Sequence, residues 1–147
     1  MKAGIWIVLF PLLLVACATS ESAARRETPI RTMAVEAFGG DANLRIHEVM
    51  WAGPLSGSLS SLSTGDQLAL EEALASGAIR PLDLAIWSNS SSKLASTLKE
   101  ALRYPNVQKL PQWRLLFVGN AADAEKVRPA VEATGAKFFT RPGIGYR

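Results

Sequence analysis

The sequence predicts an α/β fold built on a small, mainly parallel sheet. Three observations carry that expectation. Between Leu82 and Thr140, strand-like runs alternate with segments of helical period, in the order strand, helix, strand, helix, strand. Each connection holds a helix and is too long for a hairpin, so neighbouring strands must run parallel through right-handed crossovers. The run WRLLFVG, Trp113–Gly119, is almost wholly apolar, as a strand buried on both faces must be.

The elements follow in order. Residues 18–32, ATSESAARRETPIRT, hold few large apolar side chains and read as a flexible tether. MAVEAF and NLRIHEVMW alternate apolar with polar residues, Val35 beside Glu36, then Leu44 and Ile46. They predict two short strands forming an N-terminal antiparallel edge. The Gly/Ser-rich stretch Ala52–Gly65 reads as a long loop, either functional or mobile. Thr64 and Gln67 have capping-box spacing and start a helix carrying Leu70, Ala73 and Leu74, with Gly77 as a left-handed stop. Leu82–Trp87 predicts a strand. Serines then cap a helix with Leu94, Leu98, Ala101 and Leu102 on one face, closed by Pro105. After the strand Trp113–Gly119, Asn120 or Asp123 caps a helix bearing Ala124, Val127 and Val131, and Gly135 stops it. AKFFT makes the last strand.

Ahead of the tether lies a different kind of segment. Lys2 precedes an uncharged run from Ile5 to Ala16, about 12 residues, whereas a helix crossing a bilayer needs about 20. One positive charge, a short apolar run and small residues at its end describe an export signal, residues 1–16. The run closes on the only cysteine of the chain. Leu14-Val15-Ala16-Cys17 resembles the bacterial lipobox. That resemblance implies a lipoprotein: a diacylglyceryl thioether on Cys17, cleavage before it, and an added acyl chain such as palmitate. Ala18 stands where aspartate would favour the inner membrane, so the expected location is the outer membrane, facing the periplasm. The chain then divides into a signal peptide (1–16), a tether (17–32) and one α/β domain (33–147).

Composition narrows the chemistry. Lys2 is the only charge in residues 1–16, so their removal lowers the formal net charge from +3 to +2. That is too near neutral to argue for nucleic acid as a partner. With Cys17 acylated there is no thiol nucleophile and no internal disulfide. With His47 the only histidine, no zinc site of the usual nitrogen and sulfur ligands assembles, and no metal or cofactor is implied. His47 beside Glu48 lacks any recognisable nucleophile elbow and reads as an exposed strand histidine. Adjacent Glu71 and Glu72 point about 100° apart on a helix and read as a solvated face.

The best candidates for a small-ligand site are the two strand-to-helix junctions, WSNSSS and VGNAAD. There Ser88, Asn89, Ser90, Gly119 and Asn120 stand where helix N-termini present free N–H groups. The same residue types serve as ordinary helix caps. Trp51, beside the Gly/Ser loop, is the candidate partner contact, since tryptophan is a favoured interface anchor.

Residues 65–140 as a whole resemble small lipoproteins of type IV secretion and conjugation systems, the cag-pathogenicity-island lipoprotein family. The matching features are the lipobox, a helix closing on Ser76-Gly77, a Leu-Pro strand, a strand ending Val118-Gly119, and Gly135-Ala136. This implies a non-enzymatic structural component of an envelope-spanning transfer apparatus, with no catalytic residues to carry over. AEKVRPAVEATGA also resembles the arginine-bearing helix of OmpA-like domains, which implies an alternative, a periplasmic ligand- or peptidoglycan-binding module using Arg128. The preceding strand lacks that family's Gly-His-Thr-Asp signature.

Overall fold

The computed structural model describes residues 27–50, 60–103, 107 and 109–144. Cys17 and Trp51, on which the anchoring and partner-contact expectations fall, lie outside them, as does Pro105. The described chain runs as α1 (27–38), β1 (Leu44–Val49), α2 (Ser60–Gly77), β2 (Leu82–Ser88), α3 (Ser91–Ala101), β3 (Trp113–Val118), α4 (Ala121–Glu132) and β4 (Lys137–Arg141).

Four strands form one sheet in the order β1-β2-β3-β4, every pair parallel. Side chains alternate across it. Leu84, Ile86, Leu115 and Phe117 join Leu74, Leu98 and Val127 in a core shared with α2, α3 and α4. Ala85, Leu116 and Val118 point the other way and pack with Ile30, Ala34 and Phe38 of α1. Three helices therefore cover one face and a single helix covers the other. Burying both faces is what the apolar runs of β2 and β3 require.

The expected antiparallel edge does not form. Leu44 pairs with Asp83 and Val49 with Ser88, in parallel. Two physical reasons account for it. The intended partner MAVEAF is helical, because Ile30, Ala34 and Phe38 recur every four residues and give a buried helical stripe. A six-residue window containing Val35 and Glu36 hides that spacing. The helix α2 then returns the chain to the end where β1 began, so β2 can only run alongside it. Residues 27–32, assigned to the tether by composition, are part of α1, with Arg31 paired to Glu27 one turn back at 2.9 Å.

Two other local expectations change. The helix α2 begins at Ser60 and runs through Thr64 and Gly65, so part of the predicted Gly/Ser loop is helical. No proline lies between Pro54 and the end of α2 at Gly77, and Gly65 sits where an added Cβ would meet nothing within 4 Å. Gly77 is not left-handed; positive φ among the described residues occurs at Gly39 and Gly135. Gly77 instead admits the Leu82 side chain, 3.4 Å from where its Cβ would stand. Gly135, at φ +86°, is the expected stop, and its N–H bonds to Glu132 O at 2.9 Å.

Candidate functional site

The predicted junction residues come together at the carboxyl ends of β2 and β3. Ser90 has extended backbone (φ −134°, ψ 108°) and its hydroxyl accepts from Lys93 N, capping α3. Asn120 caps α4, its Oδ1 accepting from Ala122 N at 2.9 Å. Of the two cap candidates for α4, the structure selects Asn120 over Asp123. Ser88, buried, accepts from Ser90 N at 3.1 Å and lies beside Asn89. The N–H groups that an anion would need are thus partly claimed by the protein itself.

Ser91 is the residue the sequence reading missed. Its hydroxyl accepts from Asn120 N at 2.8 Å and bonds the Asp123 carboxylate, joining the first turn of α3 to that of α4. Lys126, at 2.7 Å from Asp123, together with that Ser91 bond, holds the Asp123 carboxyl below its ordinary range against the opposing effect of burial. Gly119 is required at this crossing. A Cβ there would stand 2.5 Å from Phe117 Cε1 and 2.8 Å from Ser91 Oγ. No sequence motif marks Ser91; it is one serine in a run of three.

The strand order also bears on a ligand. Sheets of this class bind small molecules in the crevice opened where the strand order reverses. Here the order rises from β1 to β4 without reversal, and the three crossover helices lie on one face. No crevice of that origin opens at the two junctions.

Two surface depressions lie elsewhere, along β1. A cleft of about 400 Å³ opens between β1 and α2, lined by Arg45, His47, Glu72 and the small side chains of Ala69 and Ala73. His47 is half-buried there, not an exposed strand residue. Its alternation with Arg45 on β1 was the available signal that both face α2. Among the described residues that line the cleft, none carries a hydroxyl or thiol. A second depression of about 210 Å³, at the amino ends of β1 and β2, is lined by Asn43, Arg45 and Arg80. Glu71, expected in water, is buried and accepts from Gln67 Nε2 at 2.8 Å, while Glu72 is exposed.

Arg128 is engaged within its own helix. Its guanidinium bonds Glu125 at 2.8 Å and Glu132 at 3.3 Å, and lies 4.8 Å from the Phe138 ring centroid. Trp87 is half-buried on the α1 face, whereas Trp113 is core. Among the described residues no three potential ligand side chains converge on a metal position, and no helix is long and apolar enough to cross a membrane. No protein-family model matches the chain, and neither a curated protein nor a solved structure matches it.

Proposed function

We propose that the protein is a lipid-anchored envelope protein whose α/β body works by contact, as an assembly component of a type IV secretion or conjugative transfer apparatus. The observation that carries the anchoring is Leu14-Val15-Ala16-Cys17, a unique cysteine directly after a short uncharged apolar run. Two acyl chains or more on Cys17, each CH₂ contributing ~0.8 kcal/mol when buried, make attachment effectively permanent. Supporting a contact role, Ser90, Ser91 and Asn120 at the strand ends are engaged in helix caps and in the tie between α3 and α4. The peptidoglycan alternative draws nothing from Arg128, whose donors are engaged with Glu125 and Glu132.

The test is metabolic labelling with palmitate together with membrane fractionation of wild type and Cys17→Ala. Wild type is expected to take up label and sediment with the outer membrane. The variant is expected to take up none, and to be either released or left as an uncleaved precursor. Label on the Cys17→Ala protein would refute the anchor. Co-purification of the intact lipoprotein with channel subunits or a transfer ATPase checks the assembly role.

A further inference from the structure

We propose that the depression at the amino ends of β1 and β2 binds a terminal phosphate, free or as a monoester, between Arg45 and Arg80. The inference does not rest on the anchor; it gives the folded body a ligand whether or not Cys17 is acylated. Strand pairing brings the two arginines together. Leu44 lies level with Asp83, and Asp83 N donates to Asn43 O at 3.1 Å. Residues 42–45 therefore stand against residues 80–82, although the whole of α2 separates the arginines in sequence. Both line one recess of about 210 Å³. Pro81 restricts the backbone of the arginine before it. The turn leading into β1 is closed by Leu44 N donating to Asp41 O at 3.0 Å. The two side chains thus start from fixed backbone.

The protein itself makes no use of these two cations. Arg31, Arg103, Arg114 and Arg128 each meet a carboxylate, at 2.6–2.9 Å. Arg141 donates to the Thr140 carbonyl. Among the described residues, Arg45 and Arg80 have neither an ion pair nor a hydrogen bond from the guanidinium. No acid is among the described residues that line the recess. Asp83, level with Leu44, is held by Arg114. Asp41, one residue before the lining segment, pairs with neither arginine, and Glu72 shares the neighbouring cleft with Arg45 without forming an ion pair. Arg80 follows the end of α2, where cations commonly bond the last carbonyls, yet it bonds none. Two like charges beside one recess repel, and an anion between them relieves that repulsion.

Charge and shape select the ligand. A guanidinium grips two oxygens at once, so a single arginine satisfies a carboxylate. A terminal phosphate offers three acceptor oxygens and close to two negative charges at neutral pH, which suits two guanidinium forks and two positive charges. A phosphodiester, the form found in phospholipids, keeps one charge and two free oxygens and matches less well. The side-chain amide of Asn43, on the same lining, adds a neutral donor. The recess is smaller than the ~300–1,000 Å³ that houses a drug-sized ligand, so it takes the phosphate and leaves the rest of an ester outside.

Titration calorimetry on the full-length protein in non-ionic detergent tests this, with inorganic phosphate, glycerol 3-phosphate, dimethyl phosphate and acetate as the probes. Inorganic phosphate is expected to saturate a single site, with dimethyl phosphate and acetate at least about tenfold weaker. Glycerol 3-phosphate binding as tightly as phosphate identifies a monoester as the ligand; its exclusion identifies the free ion. Arg45→Gln and Arg80→Gln are each expected to weaken phosphate binding about tenfold or more, the usual loss of a charge-assisted hydrogen bond. Both arginines are exposed, so their variants are expected to keep the wild-type thermal midpoint. Lys99→Gln, which removes an exposed cation from α3, is expected to leave phosphate binding unchanged. Absence of saturable phosphate binding overturns the proposal, as does equal binding of acetate or dimethyl phosphate by the wild type. An unchanged affinity in either arginine variant, or an equal loss in Lys99→Gln, also overturns it.

Discussion

Gly119 shows what a single missing carbon does. The space its Cβ would need is filled by the buried Phe117 ring and by the Ser91 hydroxyl that joins α3 to α4. Gly119→Ala is expected to destabilise the protein by about 1–3 kcal/mol, the usual range for overpacking a closed core. Urea unfolding checks it through a lowered midpoint at unchanged slope. Ile79→Ser, at an 86% exposed position, is the control and is expected to shift stability by no more than ~0.5 kcal/mol. A wild-type midpoint for Gly119→Ala would mean that Phe117 moves aside without strain. The sequence suggested this glycine as a place for a ligand to approach. Its small size instead admits the protein's own side chains. Sequence reasoning could not separate the two, because caps and ligand sites draw on the same residue types, Ser, Asn and Gly.

Among the elements, α1 depends most on one tie. Arg114 donates to both Asp83 carboxylate oxygens at 2.6 Å and to the Phe38 carbonyl, so one guanidinium links β2, β3 and the end of α1. That carboxylate holds the Arg114 pKa above its ordinary value. The two partners are unequally buried, the Asp83 side chain 7% exposed and that of Arg114 35%. Removing the arginine leaves a buried charge with no counterion; removing the aspartate leaves a guanidinium that reaches water. Arg114→Ala is therefore expected to cost about 3–5 kcal/mol, in the range for breaking a buried pair, and Asp83→Ala clearly less. Equal losses in thermal or urea unfolding would show that the pair, and not the orphaned carboxylate, sets the energy. Neither the tie nor α1 was legible in the sequence. Residues 83 and 114 are too far apart for local reading, and Ile30 fell in a segment whose composition suggested a tether. The elements α3, β3 and α4 were legible, because a helical stripe of four apolar residues and a near-continuous apolar strand have few alternative explanations.

The whole molecule is unevenly layered. The main core draws on three helices, while the second cluster rests on Ile30, Ala34 and Phe38 of one helix. Full burial of an Ile or Phe side chain contributes only about 1.5–3 kcal/mol, so α1 is held by a few such terms and the Arg114 tie. Native-state hydrogen exchange is expected to show amides of residues 30–38 opening at lower free energy than Leu115–Phe117, which open only with global unfolding. Identical urea dependence for both sets would show a single cooperative unit. At this scale the sequence was informative about class and silent about sidedness. The strand–helix alternation implied a parallel sheet, but the unreversed strand order became visible only with the pairings.

Because α1 lies along the sheet with its first turn at one rim, tension on the preceding residues would peel it off one turn at a time, starting at Ile30. The four strands, joined side by side, would bear none of that load until the Phe38 clasp at the far end let go. The helix next to the proposed attachment point is thus placed as a weak link, yielding before the body does. Once it lifts, Leu116, Val118 and Ala85 stand bare, a sticky face that appears only under strain.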